Sequence, residues 1–128
     1  MTRKDLVDEW LLVATDDLNA AKHLFTGMSR IPLEIICFHC QQAGEKALKA
    51  LLQHRGRDVP RTHDLVELRR LLGAVLPDDA DLDRSCTQLS AYGVTTRYPG
   101  RPELSLTDAE LAFAAANRIL SSIRPLAK

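Results

Sequence analysis

The sequence predicts an all-α protein, an antiparallel up-and-down bundle of four to five helices without a sheet. Its 128 residues include 21 Leu and 15 Ala, whereas aromatic residues make up only 5%. Leu and Ala favour helices, while strands are rich in β-branched and aromatic side chains. Apolar residues also recur at intervals of three and four along most of the chain, which is the period of an amphipathic helix. Since this length is typical of one domain, we expect residues 1–128 to form a single helical domain.

The first two predicted helices occupy the N-terminal half. Apolar spacing over residues 6–25 predicts the first helix, and either Thr2 or Asp5 can cap its start. Pro32 suits the first turn of the second helix because its missing N–H would be unpaired there. This helix continues to Gly56, since glycine readily adopts the left-handed conformation that ends a helix. The second helix is therefore the longest predicted element.

Three shorter helices are predicted in the C-terminal half. The third begins near Asp64 and stops before Pro77, and the fourth starts within residues 79–81. Thr107 and Glu110 have the spacing of a capping box, which predicts that the last helix begins there. Mostly short connections between consecutive helices favour the up-and-down arrangement.

One predicted connection, residues 93–106, is long. Structureless connections of more than ~12 residues are uncommon in compact domains and often have a function. This loop contains Arg97 and Tyr98, whose guanidinium and phenol could contact a ligand. The alternative is a loop that its aromatic side chains fix to the bundle.

The charge pattern argues against strong nonspecific binding to polyanions. Seventeen basic and seventeen acidic side chains cancel, so the whole chain has no net attraction to nucleic acid or anionic membranes. Residues 46–70 carry seven basic and three acidic groups, which form either a local basic patch or an ordinary solvated surface.

No stretch approaches the ~20 apolar residues of a membrane span, and the N-terminus lacks an apolar signal region. We therefore expect a cytoplasmic protein without a membrane partner.

Cys37 and Cys40 lie three residues apart, and their spacing could indicate a metal or redox site. A structural zinc site needs four ligands, however, and Cys86 is the only other cysteine. A redox pair belongs at a helix N-terminus after a strand, and the sequence predicts no strand. We therefore interpret these thiols as lining a helix–helix contact, and we expect no metal and no cofactor.

The polar side of the second helix is a candidate binding surface. Gln42, Glu45 and Lys49 are spaced by three and four residues and so lie along one stripe, with Lys46 next to it. Such a stripe could form hydrogen bonds across the bundle or across a dimer seam, and its ammonium groups could bind a phosphate. The alternative is a solvated helix face with one intrahelical ion pair.

Arg57 and His63 pair a fixed positive charge with a titratable imidazole. RNA cleavage without a metal needs a base for the 2′-hydroxyl, an acid for the leaving oxygen and a cation for the phosphorane. Because Pro60 places both residues in a connection, their spacing in the sequence does not fix their distance in space. The alternative makes His63 part of a helix start that is capped by Thr62 or Asp64.

Several of these motifs follow one another in a recognisable order. In chain order they are Trp10, Ala14-x-x-Asp17-Leu18, residues 37–52 (CFHCQQAGEKALKALL), Gly56, residues 62–65 (THDL), residues 96–99 (TRYP) and Asp108. Together they resemble the HEPN family (higher-eukaryote and prokaryote nucleotide-binding domain). The resemblance spans roughly residues 5–124, and the blocks at 37–52 and 62–65 make it specific.

The resemblance implies an all-α bundle that is commonly a homodimer, and it implies two classes of function. Many HEPN members are metal-independent ribonucleases, often toxins, that use an Arg-x(4–6)-His motif at the dimer cleft. Others lack a working motif and are partners of a minimal nucleotidyltransferase encoded beside them. In nuclease members the Arg and His normally lie on a helix, whereas the matching pair of this chain, Arg57 and His63, lies in a loop.

We therefore favour a binding module, the partner of a minimal nucleotidyltransferase in a toxin–antitoxin-type pair, which binds nucleotide or RNA phosphate. The candidate phosphate contacts are Gln42, Lys46, Lys49, Arg97 and Tyr98. The alternative is a metal-independent ribonuclease in which His63 is the general base or acid and Arg57 binds the phosphate.

Overall fold

The computed structural model describes residues 1–93, 99–100 and 102–128. In this part of the chain it contains five α-helices and no strand, which confirms the predicted all-α bundle. The helices are α1 (Arg3–Leu24), α2 (Leu33–His54), α3 (Leu65–Leu72), α4 (Ala80–Ser90) and α5 (Leu106–Ile123). Short 3₁₀ turns follow α3 at Gly73–Val75 and α5 at Arg124–Leu126. No helix among these residues is long and apolar enough to cross a membrane.

Helix α2 is the centre of the bundle, with its most extensive contacts to α1 and α5. Small residues allow the close approach of the other helices, and Gly44 is one of them. A Cβ atom at Gly44 would lie 2.8 Å from Leu65 Cδ2, 3.1 Å from Leu89 Cδ1 and 3.2 Å from Ile119 Cδ1. These three side chains belong to α3, α4 and α5, so all three helices meet α2 at this glycine.

The connection between α2 and α3 turns back along α2. Gly56 ends α2 with a φ of +68°, as the sequence predicts, and its N–H donates to the carbonyl of Gln53 at 3.0 Å. The segment that follows returns to the middle of α2, where the carbonyl of His63 accepts a hydrogen bond from Gln41 Nε2 at 2.9 Å. This return brings the start of α3 beside the polar side of α2.

The predicted caps of α1 and α3 are confirmed. Thr2 and Asp5 form a reciprocal capping box at the start of α1, so both candidates take part. Asp64 caps α3 by accepting from the N–H groups of Val66 and Glu67. These local side-chain acceptors satisfy backbone N–H groups that have no partner within the helix.

The predicted cap of α5 is wrong by two residues. The helix is capped by Ser105 and Asp108, whose side chains and backbone N–H groups bond reciprocally at 3.1 and 2.8 Å, and not by Thr107 and Glu110. Both pairs have the same three-residue spacing, and the shorter Asp side chain completes the box as well as Glu does. The cap therefore lies two residues upstream of the predicted one, and the helix begins at Leu106.

Candidate functional site

The candidate site is centred on the buried carboxylate of Glu45 in α2. Its side chain is only 5% exposed and has three hydrogen-bonding partners. Lys49 Nζ lies 3.1 Å from Oε2, while Gln41 Nε2 and His63 Nδ1 lie 3.1 and 3.0 Å from Oε1. Because burial of an unpaired carboxylate is costly, these partners stabilise Glu45 in the interior. We call Gln41, Glu45, Lys49 and His63 the Glu45 network.

Lys49 is enclosed within the chain. Its side chain is 7% exposed, and its ammonium group lies 5.9 Å from the centre of the Trp10 ring in addition to its bond with Glu45. An ammonium over an indole face is stabilised by the negative charge density of the ring. The stripe that contains Glu45 and Lys49 therefore faces α1 and the returning segment, where its charges are already paired.

Gln41 is a member of the network that sequence reasoning missed. It is fully buried, and its side-chain Nε2 donates to both Glu45 and the backbone carbonyl of His63. Its side-chain Oε1 accepts from Gln42 Nε2 at 2.7 Å. The signal that could have found it is the spacing of Gln41, Glu45 and Lys49, which are four residues apart and lie on one face of a helix. The predicted contact Gln42 is half-buried at the edge of this network.

A second polar cluster joins α1 and α2 through the carboxylate of Asp17. Lys46 Nζ lies 2.7 Å from Oδ2, and His39 Nδ1 lies 2.9 Å from Oδ1. The Lys46 side chain is 25% exposed, so this predicted phosphate contact reaches the surface whereas Lys49 does not. One carboxylate thus positions an ammonium group and an imidazole side by side.

Arg57 and His63 are not brought together by the fold. Arg57 donates to the carbonyls of Leu71 and Leu72, at 2.8 and 3.4 Å, and so lies at the C-terminal end of α3. His63 directly precedes Asp64, the cap at the opposite end. At a rise of about 1.5 Å per residue, the eight residues of α3 separate these ends by about 12 Å. The other two candidates, Arg97 and Tyr98, lie outside the described residues.

The His63 imidazole itself is open to solvent. Its side chain is 67% exposed, although Nδ1 contacts Glu45. The helix start beside it is stabilised by other groups, since Ser90 Oγ accepts from the N–H of Leu65 and donates to Asp64 at 3.2 Å. The predicted helix start at Asp64 is therefore present, and the ring of His63 beside it lies at the surface.

The cysteines take no part in the site. All three are fully buried, and burial raises the pKa of Cys37 to about 11 and the pKa of Cys40 and Cys86 to about 12. These groups are thiols at neutral pH, whereas metal binding and thiol exchange need the thiolate. Within the described ranges, no group of three or more His, Cys, Asp or Glu residues could hold a metal ion.

Comparisons with known proteins point to one family. No curated protein matches the chain. Two solved structures are similar: the crystal structure of TT1696 from Thermus thermophilus, and that of ST0689, described as an archaeal HEPN homologue. The first is 30% identical, with a TM-score of 0.82, over 98% of this chain and 99% of the other. The second is 29% identical, with a TM-score of 0.73, over 100% of both chains.

The family match covers nearly the whole bundle. The model of the HEPN domain matches residues 7–126, which include the Glu45 network and both Arg57 and His63. The chain belongs to the HEPN domain family.

Proposed function

We propose that this HEPN protein is a binding module, the partner of a minimal nucleotidyltransferase in a toxin–antitoxin-type pair, and that it binds nucleotide or RNA phosphate without cleaving it. The observation that carries this proposal is the bonding of the Arg57 guanidinium to the carbonyls at the end of α3, about one helix length from His63 of the same chain. Metal-independent cleavage needs its acid, base and cation around one phosphate. Arg57 instead stabilises the end of a helix.

Lys46 is the favoured phosphate contact on α2. It retains exposed surface, and the carboxylate of Asp17 fixes its position beside His39. A charge-assisted hydrogen bond from the ammonium group to a phosphate oxygen is stronger than a neutral one. Because the chain has no net charge, recognition has to come from such local contacts rather than from a general attraction to polyanions.

Fluorescence anisotropy with a short single-stranded RNA at low salt tests this contact. We expect Lys46→Gln to weaken binding several-fold, since one charge-assisted contact is lost. Lys22→Gln is the matched control because it removes the same charge from an exposed position on α1, and we expect it to bind like the wild type. Absence of binding by the wild type, or equal weakening in both variants, would contradict the proposal.

We also propose that the protein forms a homodimer and a complex with its nucleotidyltransferase. Light scattering should give a mass near twice the 14.2 kDa of one chain. Co-expression with the minimal nucleotidyltransferase encoded beside it should yield one complex that elutes as a single species. A monomeric mass, separate elution of the two proteins, or the lack of such a neighbour would each contradict this assembly.

A second candidate function is a metal-independent ribonuclease. The exposed imidazole of His63 favours it, because the Glu45 carboxylate at Nδ1 orients the ring while two thirds of the side chain stays exposed. In this alternative His63 is the general base or acid, and Arg57 would have to leave the carbonyls of α3 to reach the phosphate. Cleavage of RNA separates this candidate from the binding module.

A further inference from the structure

A groove of about 680 Å³ lies at the end of the bundle where α1 begins, α2 ends and the chain leaves α5. Its size is within the range of pockets that bind small molecules. None of the residues that line it belongs to the Glu45 network or to the Asp17 cluster. The groove is therefore a surface separate from the phosphate contact proposed at Lys46.

The rim of the groove is positively charged. Four exposed cationic side chains, Arg3, Lys4, Arg124 and Lys128, surround it together with one carboxylate side chain, Asp8. Asp8 is paired with Lys4 at 2.8 Å, so it does not compensate the charge of Arg3 or Arg124. In a chain whose charges cancel overall, this local excess of positive charge at one groove favours an anion.

The two arginines keep their charge available. Among the described residues, no carboxylate lies within 4.0 Å of Arg3 or Arg124. The Arg124 guanidinium donates to Thr15 Oγ1 at 3.1 Å, a neutral group that positions it without neutralising it. The guanidinium of Arg3 lies against Gly56, where any Cβ atom would be 2.9 Å from one of its nitrogens. The glycine thus leaves room for this side chain.

The inner wall of the groove is apolar. Val7 and Ala127 are buried beneath it, and Leu11 is half-buried at its side. The groove therefore combines a cationic rim with an apolar wall.

We propose that this groove binds a small organic phosphate. The phosphate would bind at the rim to the guanidiniums of Arg3 and Arg124, with His54 as a further hydrogen-bonding group. The apolar part of the same molecule would cover Val7 and Leu11. A bare inorganic anion would use only the rim, and a neutral apolar molecule would use only the wall.

Isothermal titration of the full chain with phenyl phosphate, inorganic phosphate and phenol tests this pairing of charge and apolar contact. We expect phenyl phosphate to bind at least about fivefold more tightly than inorganic phosphate, since only the former buries an apolar ring. Phenol should bind more weakly than either. Equal affinities for the two phosphates, or no binding of either, would overturn the proposal.

Three variants locate the site. Arg3→Gln should weaken both phosphates, whereas Leu11→Ala should weaken phenyl phosphate and leave inorganic phosphate unchanged, which also shows that the variant is folded. Arg84→Gln is the matched control, because it removes an exposed arginine that is paired with Asp81 on α4. An equal loss of phenyl phosphate affinity in Arg3→Gln and Arg84→Gln would overturn the assignment to this groove. Tighter binding of an acidic peptide than of phenyl phosphate would also overturn it.

Discussion

Lys49 donates to Glu45 one turn away on α2, and both side chains are less than a tenth exposed. This ion pair lies inside one chain, between α2, the ring of Trp10 and the segment that carries His63. The polar residues that look like an open binding stripe in the sequence therefore stabilise the fold. Gln42 in the stripe and Lys46 next to it are half-buried and retain solvent contact.

Removal of one partner of this pair should destabilise the protein strongly. We expect Lys49→Met to lower the free energy of unfolding by about 3–5 kcal/mol, because it leaves the buried Glu45 carboxylate without its cation. The double variant Glu45→Gln/Lys49→Met removes both charges and should recover most of this loss. Urea unfolding measures both, and a loss below about 1 kcal/mol in Lys49→Met would contradict the buried pair.

Arg57 should behave as a structural residue. Arg57→Ala removes the hydrogen bonds to the carbonyls at the end of α3, and we expect it to lower the free energy of unfolding by about 1 kcal/mol. Arg84→Ala, which removes an exposed pair, should have little effect in the same urea titration. Equal stability of the two variants would argue against the structural role of Arg57.

Gly44 should not tolerate even one methyl group. Alanine favours a helix by about 1 kcal/mol over glycine, but a Cβ here meets Leu65, Leu89 and Ile119 at 2.8 to 3.2 Å. Since overpacking costs about 1–3 kcal/mol, we expect a net decrease in the thermal midpoint of Gly44→Ala. A higher midpoint would mean that α3, α4 and α5 adjust freely around α2.

Because of the buried thiols, we expect the free energy of unfolding to decrease at alkaline pH. Burial raises the pKa of Cys40 from 9.0 to about 12, so the folded state holds this proton more tightly than the unfolded state. The stabilisation is complete below about pH 9 and is lost as the pH rises toward 12. Between these limits the wild type should lose up to about 1.4 kcal/mol per pH unit more than Cys40→Ala. Urea unfolding at each pH measures this difference. If the free energies of unfolding of the wild type and Cys40→Ala decrease in parallel as the pH rises, the Cys40 thiol is not the cause of the decrease.

The helices could be predicted from the sequence because their signals are local. Apolar spacing and the caps at Thr2 and Asp64 involve residues within one or two turns. The same reasoning misplaced the start of α5, since Ser105 and Thr107 each have an acidic residue three positions later. A local pattern that occurs twice cannot select between two starts.

The site was only partly predictable because its contacts are not local. Glu45 and His63 are 18 residues apart, and they meet only because the connection after α2 turns back. Likewise, the pairing of Lys46 with Asp17 depends on how α1 packs against α2. Sequence spacing placed Glu45 and Lys49 on one face of α2, but it could not show which polar groups the fold would bury.

Incubation of RNA with the purified protein in EDTA, with the wild type and His63→Ala side by side, tests the proposed binding module most directly. We expect no cleavage by either protein. We also expect His63→Ala to unfold about 1 kcal/mol more easily, because the buried Glu45 loses a donor. Cleavage by the wild type that is lost in His63→Ala, at an unchanged melting temperature, would contradict the binding module and identify the protein as a ribonuclease.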